Sequence, residues 1–180
     1  MKTKKPLLLI ALLVCALALL FFAVTASAQA TEQPFKGSVN GQVWYDWVMV
    51  GTPAAHPVQS NSWAVGTLGR FGRVTMSSYH ATPPLGQDDF GPGTMVLTLL
   101  KSGYKIYATY TGSAHFVPGN HPALLKGSSS FVITGGTGPF VDATGEGTMT
   151  LKLHIPGTAG LGPDSPPWKS HWTMEGTISY

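Results

Sequence analysis

Six histidines, His56, His80, His115, His121, His154 and His171, are the side chains in this chain best suited to holding a metal ion or carrying a proton. Ligation from nearby positions asks for an H-x-H or H-x-x-x-H pair, or for cysteines that complete the set. Neither spacing occurs, and the single cysteine, Cys15, sits inside an apolar N-terminal run. Strand parity puts His115, His154 and His171 outward, while His56, His80 and His121 fall in or beside loops. Solvated histidines are therefore expected, with no metal and no cofactor. Nucleophilic catalysis lacks its frame as well, since the chain has no G-x-S-x-G elbow. Asp88-Asp89 lacks the spaced acidic partners of a calcium loop and reads as a solvated tip.

Two ionisable residues stand among apolar neighbours: Asp46 within Trp44-Tyr45-Asp46-Trp47, and Arg70 between Leu68 and Phe71. Paired inside a cavity they can polarise a substrate, which makes them the catalytic candidates. The plainer reading has Asp46 facing out and Arg70 in a bulge with its head in water. The aromatic residues Trp44, Tyr45, Trp47, Trp63, Tyr110 and Trp172 are the candidate ligand-binding set, able to stack on a flat hydrophobe or a sugar. Ordinary β cores are equally rich in such rings.

The elements that must position these groups are strands. From Phe35 the residues alternate, with Val39, Val43, Tyr45, Trp47 and Met49 on one parity and Lys36, Ser38, Asn40 and Gln42 on the other. A broken or bulged strand is expected from Trp63 to Tyr79, and a hairpin from 94–101 and 104–116 around Ser102-Gly103. Further strands are expected at 129–134, 148–155 and 171–180. The Pro- and Gly-rich stretches 51–61, 81–93, 117–127 and 156–169 read as loops.

No stretch after the N-terminal leader carries a persuasive amphipathic helix. About eight one-sided strands predict an all-β fold in one domain, a single antiparallel β-barrel, with a β-sandwich as the alternative. The last strand is expected to pair with the first and close the sheet, which removes exposed edges.

The leader places this domain in the cell. Lys2-Thr3-Lys4-Lys5 precedes an apolar run from Leu7 to Val24, and Ala26-Ser27-Ala28 supplies small residues at cleavage spacing. Residues 1–28 therefore read as a signal peptide and 29–180 as the exported domain, secreted or periplasmic, with no membrane attachment after cleavage. Without the three leader lysines, 8 basic residues face 8 acidic ones. That balance argues against a nucleic-acid partner. Outward Trp44, Val48, Leu100 and Tyr107 leave apolar surface that a homo-oligomer would cover.

The segment Gly135-Gly136-Thr137-Gly138-Pro139-Phe140-Val141-Asp142-Ala143-Thr144-Gly145 reads as a structural turn. Its glycines permit tight backbone geometry, and Phe140 and Ala143 point the same way as a plug over the sheet end. This turn resembles the GGTG-x-F-x-x-A-x-G segment of dirigent proteins and allene oxide cyclase-like barrels. The chain looks closer still to small exported bacterial proteins of unassigned function. Their F-x-G-x-x-x-G-x-V opening is matched by Phe35 to Val43, L-G-[KR]-F by Leu68 to Phe71, and a closing G-T-I-[ST]-Y by Gly176 to Tyr180.

The resemblance implies an eight-stranded calycin-like barrel and carries no activity over. Three functions stay open at this point. One is a non-enzymatic barrel that binds a small apolar molecule, another a cyclase- or isomerase-like enzyme, and the third a structural or partner-binding module.

Overall fold

The computed structural model describes residues 31–48, 56–81, 88–119, 124–155 and 166–180, without the side chains of 45–48 and 56–58. Its eight strands are β1 (Gln33–Val48), β2 (His56–Leu68), β3 (Arg73–Ala81), β4 (Asp89–Leu99), β5 (Lys105–Val117), β6 (Leu124–Gly136), β7 (Gly145–His154) and β8 (Trp168–Ile178). Each pairs antiparallel with its sequence neighbours, and β8 pairs back onto β1, which closes the barrel. A closed barrel replaces the sandwich alternative. Residues Glu32–Tyr180 form one compact unit that closes its own ladder and supplies its own core. Every strand of that ladder and every residue of that core lies within it.

Three strands start five to seven residues earlier than alternation predicts. β2 begins at His56, β4 at Asp89 and β6 at Leu124. The added segments, 56–62, 89–93 and 124–128, mix serine, glycine and proline with other residues, carry no apolar period and still pair. Irregularities absorb the poorest strand formers. The β1–β2 register shifts between Asp46 and Trp47, where Pro57 pairs, and the β4–β5 register shifts between Phe90 and Gly93, across Pro92.

An inward-facing register row starts at Trp168 and runs through Val43, Ser62, Ser78, Met95, Ala108, Ile133 and Gly145. Gly145 lies opposite Ile178, between the Gly147–Gly176 pair and the Thr144–Ser179 bridge. The row thus returns to β8 ten residues beyond Trp168. That stagger means strongly tilted strands, and an eight-stranded barrel of this kind is wide enough to pack solid or to hold one small ligand.

One end is sealed by aromatic rings. Phe140 and Ala143 are buried after the 3₁₀ turn Gly138–Phe140. Gly138 must be glycine, since its φ is +61° and a Cβ would lie 2.5 Å from the Tyr104 ring. Phe140 packs 4.7 Å from Tyr180 and 5.9 Å from Phe71, and Phe71 lies 6.2 Å from Phe35. Phe35 reaches Phe131 in the core at 5.5 Å. These tilted and edge contacts fill the end completely enough that Phe35 is fully buried.

Candidate functional site

Above the sealed end the inner wall is apolar, with Leu68, Val74, Met76, Leu97, Ile106, Ile133 and Met174 all buried. Towards the other end the same inward parity turns polar. On β2, Leu68 and Ala64 give way to Ser62 and Ser60. On β3, Val74 and Met76 give way to Ser78 and His80. On β8, Met174 and Trp172 give way to Ser170. The two β2 serines and Ser170 are buried.

These groups form a chain across three strands. Ser62 Oγ lies 2.5 Å from Ser78 Oγ, the Ser78 side chain bonds to Tyr110, and Tyr110 Oη lies 2.8 Å from His80 Nδ1. Phe90 stacks on the imidazole at 4.7 Å between centroids, and Tyr110 meets it edge-on at 5.7 Å. Gly93, opposite both His80 and Tyr110 in register, makes room for the phenol, because a Cβ there would sit 2.5 Å from the Tyr110 ring.

Burial sets the protonation of the pair. It pushes the His80 imidazolium down to about 4 and pushes the Tyr110 phenol up to about 12, the latter partly offset by the Ser78 hydrogen bond to the phenolate. Between those limits both are neutral. The phenol donates to a bare Nδ1, or Nδ1–H donates to the phenol oxygen while the phenol donates to Ser78. Among the described residues no Asp, Glu, Lys or Arg is buried.

A pH dependence follows from the depressed His80 value. The unfolded chain takes the proton first, near pH 6.5, and the folded one only near 4. Stability is therefore full above about 6.5 and declines as pH falls towards 4. The loss is on the order of 2 kcal/mol once the ring's partial exposure is allowed for. Urea midpoints at pH 7 and pH 4.5 should fall less for His80→Gln than for the wild type. Equal falls would show that His80 titrates normally.

Opposite this chain stand two buried polar atoms without a partner among the described residues, Ser170 Oγ and Trp172 Nε1. The ladder makes them face the site. Ser170 pairs with Gly41, Gly41 with Ala64, and Ala64 with Met76. Over three strands the stagger raises the level by about four residues, which brings Ser170 level with His80.

Only part of the expected set gathers here. Tyr110 and Trp172 face inward and are buried, whereas Trp44 and Trp63 stand on the outer wall, 42% and 49% exposed. Neither of these two rings lines the interior, because both sit on outward positions of β1 and β2. Tyr45, Asp46 and Trp47 lie in β1, and their side chains fall outside the described residues.

Arg70 is exposed at the sealed end. It donates to Gln33 Oε1 and to Tyr180 Oη, and its guanidinium lies 5.8 Å from the centre of the Phe71 ring. Arg70 follows Leu68, which pairs with Gly37, nine residues along β1 from Asp46. At about 3.3 Å per residue that is roughly 30 Å, so the two form no interior pair.

His80 was legible only by carrying the Val74–Met76 parity onward through two polar residues. His115, His154 and His171 are on the outer wall, and His121 lies outside the described residues. Among the described residues no group of three metal-ligating side chains comes together. No protein-family model matches the chain, and comparison with curated proteins and with solved structures finds no match.

Proposed function

We propose that this barrel is an exported binding protein, not an enzyme, for a small, mostly apolar, uncharged molecule that carries a hydrogen-bond acceptor. The observation that carries the reading is the unpartnered pair Ser170 Oγ and Trp172 Nε1, level with the Ser62–Ser78–Tyr110–His80 chain. An indole N–H only donates, so it asks for a carbonyl, ether or hydroxyl oxygen. Leaving such a group unsatisfied costs about 1–3 kcal/mol, which a ligand oxygen would recover.

Neutral walls suit a neutral ligand. The His80–Tyr110 pair can reverse its hydrogen-bond direction and so meet a second ligand group as donor or acceptor. Val43, Phe90, Leu151, Leu153 and Trp168 supply apolar wall around it. The sealed aromatic end supports entry from the other side. The leader supports export, and the glycine turn's resemblance to dirigent and allene oxide cyclase-like barrels supports a cup-like scaffold.

A cyclase- or isomerase-like activity is the second reading, and the His80–Tyr110 contact is what favours it. The same contact weakens it, because a general acid or base works best with a pKa near the working pH. Both groups are displaced away from neutrality.

The fluorescent neutral probe Nile red tests the binding reading. Saturable uptake is expected, and Trp172→Phe should weaken it about tenfold through loss of one buried hydrogen bond. The same change should alter stability by less than about 1 kcal/mol, since it also removes an unsatisfied donor. Uptake that is non-saturable, or unchanged in Trp172→Phe, would contradict the assignment.

A further inference from the structure

The outer wall carries its own pattern, independent of the interior. One register row runs Ser113, Ser128, Thr150, Thr173, Ser38 and Thr67 across six strands, β5 through β8 and on to β1 and β2. At about 4.8 Å per strand the row extends about 24 Å around the wall. The surface along it is indented. A cleft of about 830 Å³ lies over Ser113, Ser128 and Thr150, and another of about 400 Å³ lies over Thr150, Thr173, Ser38 and Thr67. Thr150 and Thr173 bond to each other through their hydroxyls and keep capacity for a further partner.

The next row towards the His80 end is basic. His115 pairs with Lys126, Lys126 with Lys152, and Lys152 with His171, while Lys169 and His154 pair one row further on. Lys126 and Lys152 are exposed and directly opposite each other on β6 and β7. Like charges so placed oppose pairing. On the described strands β5 to β8 the basic rows hold no acidic residue, and Lys126, Lys152 and Lys169 form no ion pair among the described residues. The row on the other side holds Glu175, which is paired with Lys36 at 3.1 Å, and Asp89 stands opposite Ser113 at the β4 end of the hydroxyl row.

We infer that this face binds a linear acidic polysaccharide, its hydroxyls meeting the serine–threonine row and its carboxylates the lysines. Charge complementarity names the partner's sign, and the indented hydroxyl track names its polyhydroxylated, extended form. A flat bilayer would touch this convex wall along a line only. A nucleic acid would find no aromatic ring on the row to stack a base.

Titration of the protein with polygalacturonate, neutral dextran and phosphatidylglycerol vesicles tests the inference. Polygalacturonate should bind and should weaken about tenfold between low and moderate salt. Lys152→Glu should weaken it by about tenfold while raising the thermal midpoint, because it converts the Lys126 contact into a cross-strand ion pair. The double change Ser128→Ala with Thr150→Val leaves charge intact and should weaken binding several-fold. Lys101→Glu, at the β4–β5 turn, should stay within about twofold, since it lies beyond the screening distance.

Several results would overturn the inference: no polygalacturonate binding, binding unaffected by Lys152→Glu or by the hydroxyl double variant, or dextran bound as well as the acidic polymer. Vesicles bound in preference to the polymer would assign the face to lipid instead.

Discussion

Gly41→Ala should destabilise the barrel by about 3 kcal/mol, which for a domain of this size lowers the thermal midpoint by roughly 10 °C. Gly41 faces inward on β1, opposite Ala64 of β2. A Cβ there would lie 2.0 Å from the Trp63 carbonyl oxygen and 2.5 Å from Ala64 Cα. Both are backbone atoms of a paired strand, so neither can turn aside as a side-chain tip can. Relief requires β1 and β2 to move apart, and β1 also holds β8 to close the barrel. Gly103→Ala is the useful contrast. Its φ of +75° is strained for alanine, but nothing lies within 4 Å of the added carbon. It should cost only about 1–2 kcal/mol. Equal losses for the two would mean that backbone conformation, and not close approach, sets the demand for glycine at 41.

Phe140→Ala is the second large effect, expected at about 3–5 kcal/mol. The ring is 3% exposed and stands between Tyr180 and Phe71. Truncation leaves a void under a 3₁₀ turn whose backbone is held by few bonds, from Phe140 N–H to Thr137, from Val141 N–H to Gly138 and from Ala143 N–H to Phe140. The lost stability has a functional companion. With the seal broken, water reaches the apolar floor beneath the Ser62–Tyr110–His80 chain, so uptake of an apolar probe should fall even where the barrel remains folded. Urea unfolding read beside probe binding separates the two. A loss under about 1 kcal/mol would show that the aromatic cluster does not carry the seal.

Alternation made the scaffold legible. The Phe35–Val43 and Met149–Ile155 periods marked strands, and the terminal run at 171–180 indicated closure. Phe140 and Ala143, three residues apart, indicated the plug. The interior site stayed hidden because alternation is read through apolar residues, and the site begins where inward positions cease to be apolar. Ser77-Ser78-Tyr79-His80 has no hydrophobic period, so His80 looked like a loop residue although it continues the parity of Val74 and Met76. Ser60 and Ser62 were lost in the same way behind Pro57.

Trp63 shows the opposite error, since ring size suggested a lining residue where parity pointed outward. The basic row was invisible for another reason. Its members come from 115, 126, 152 and 171, and only the register of four strands brings them side by side. An overall balance of charge carries no information about that register.

Native mass spectrometry of the barrel, set against its denatured mass, tests the binding account most directly. The account predicts a reproducible extra mass of a neutral, oxygen-bearing small molecule, released on denaturation and reduced in the Trp172→Phe variant. A bare protein mass would contradict it if it persists after incubation with neutral apolar oxygen-bearing compounds and is matched by absent Nile red uptake. The interior would then be a filled core, with Ser170 and Trp172 no more than tolerated polar groups.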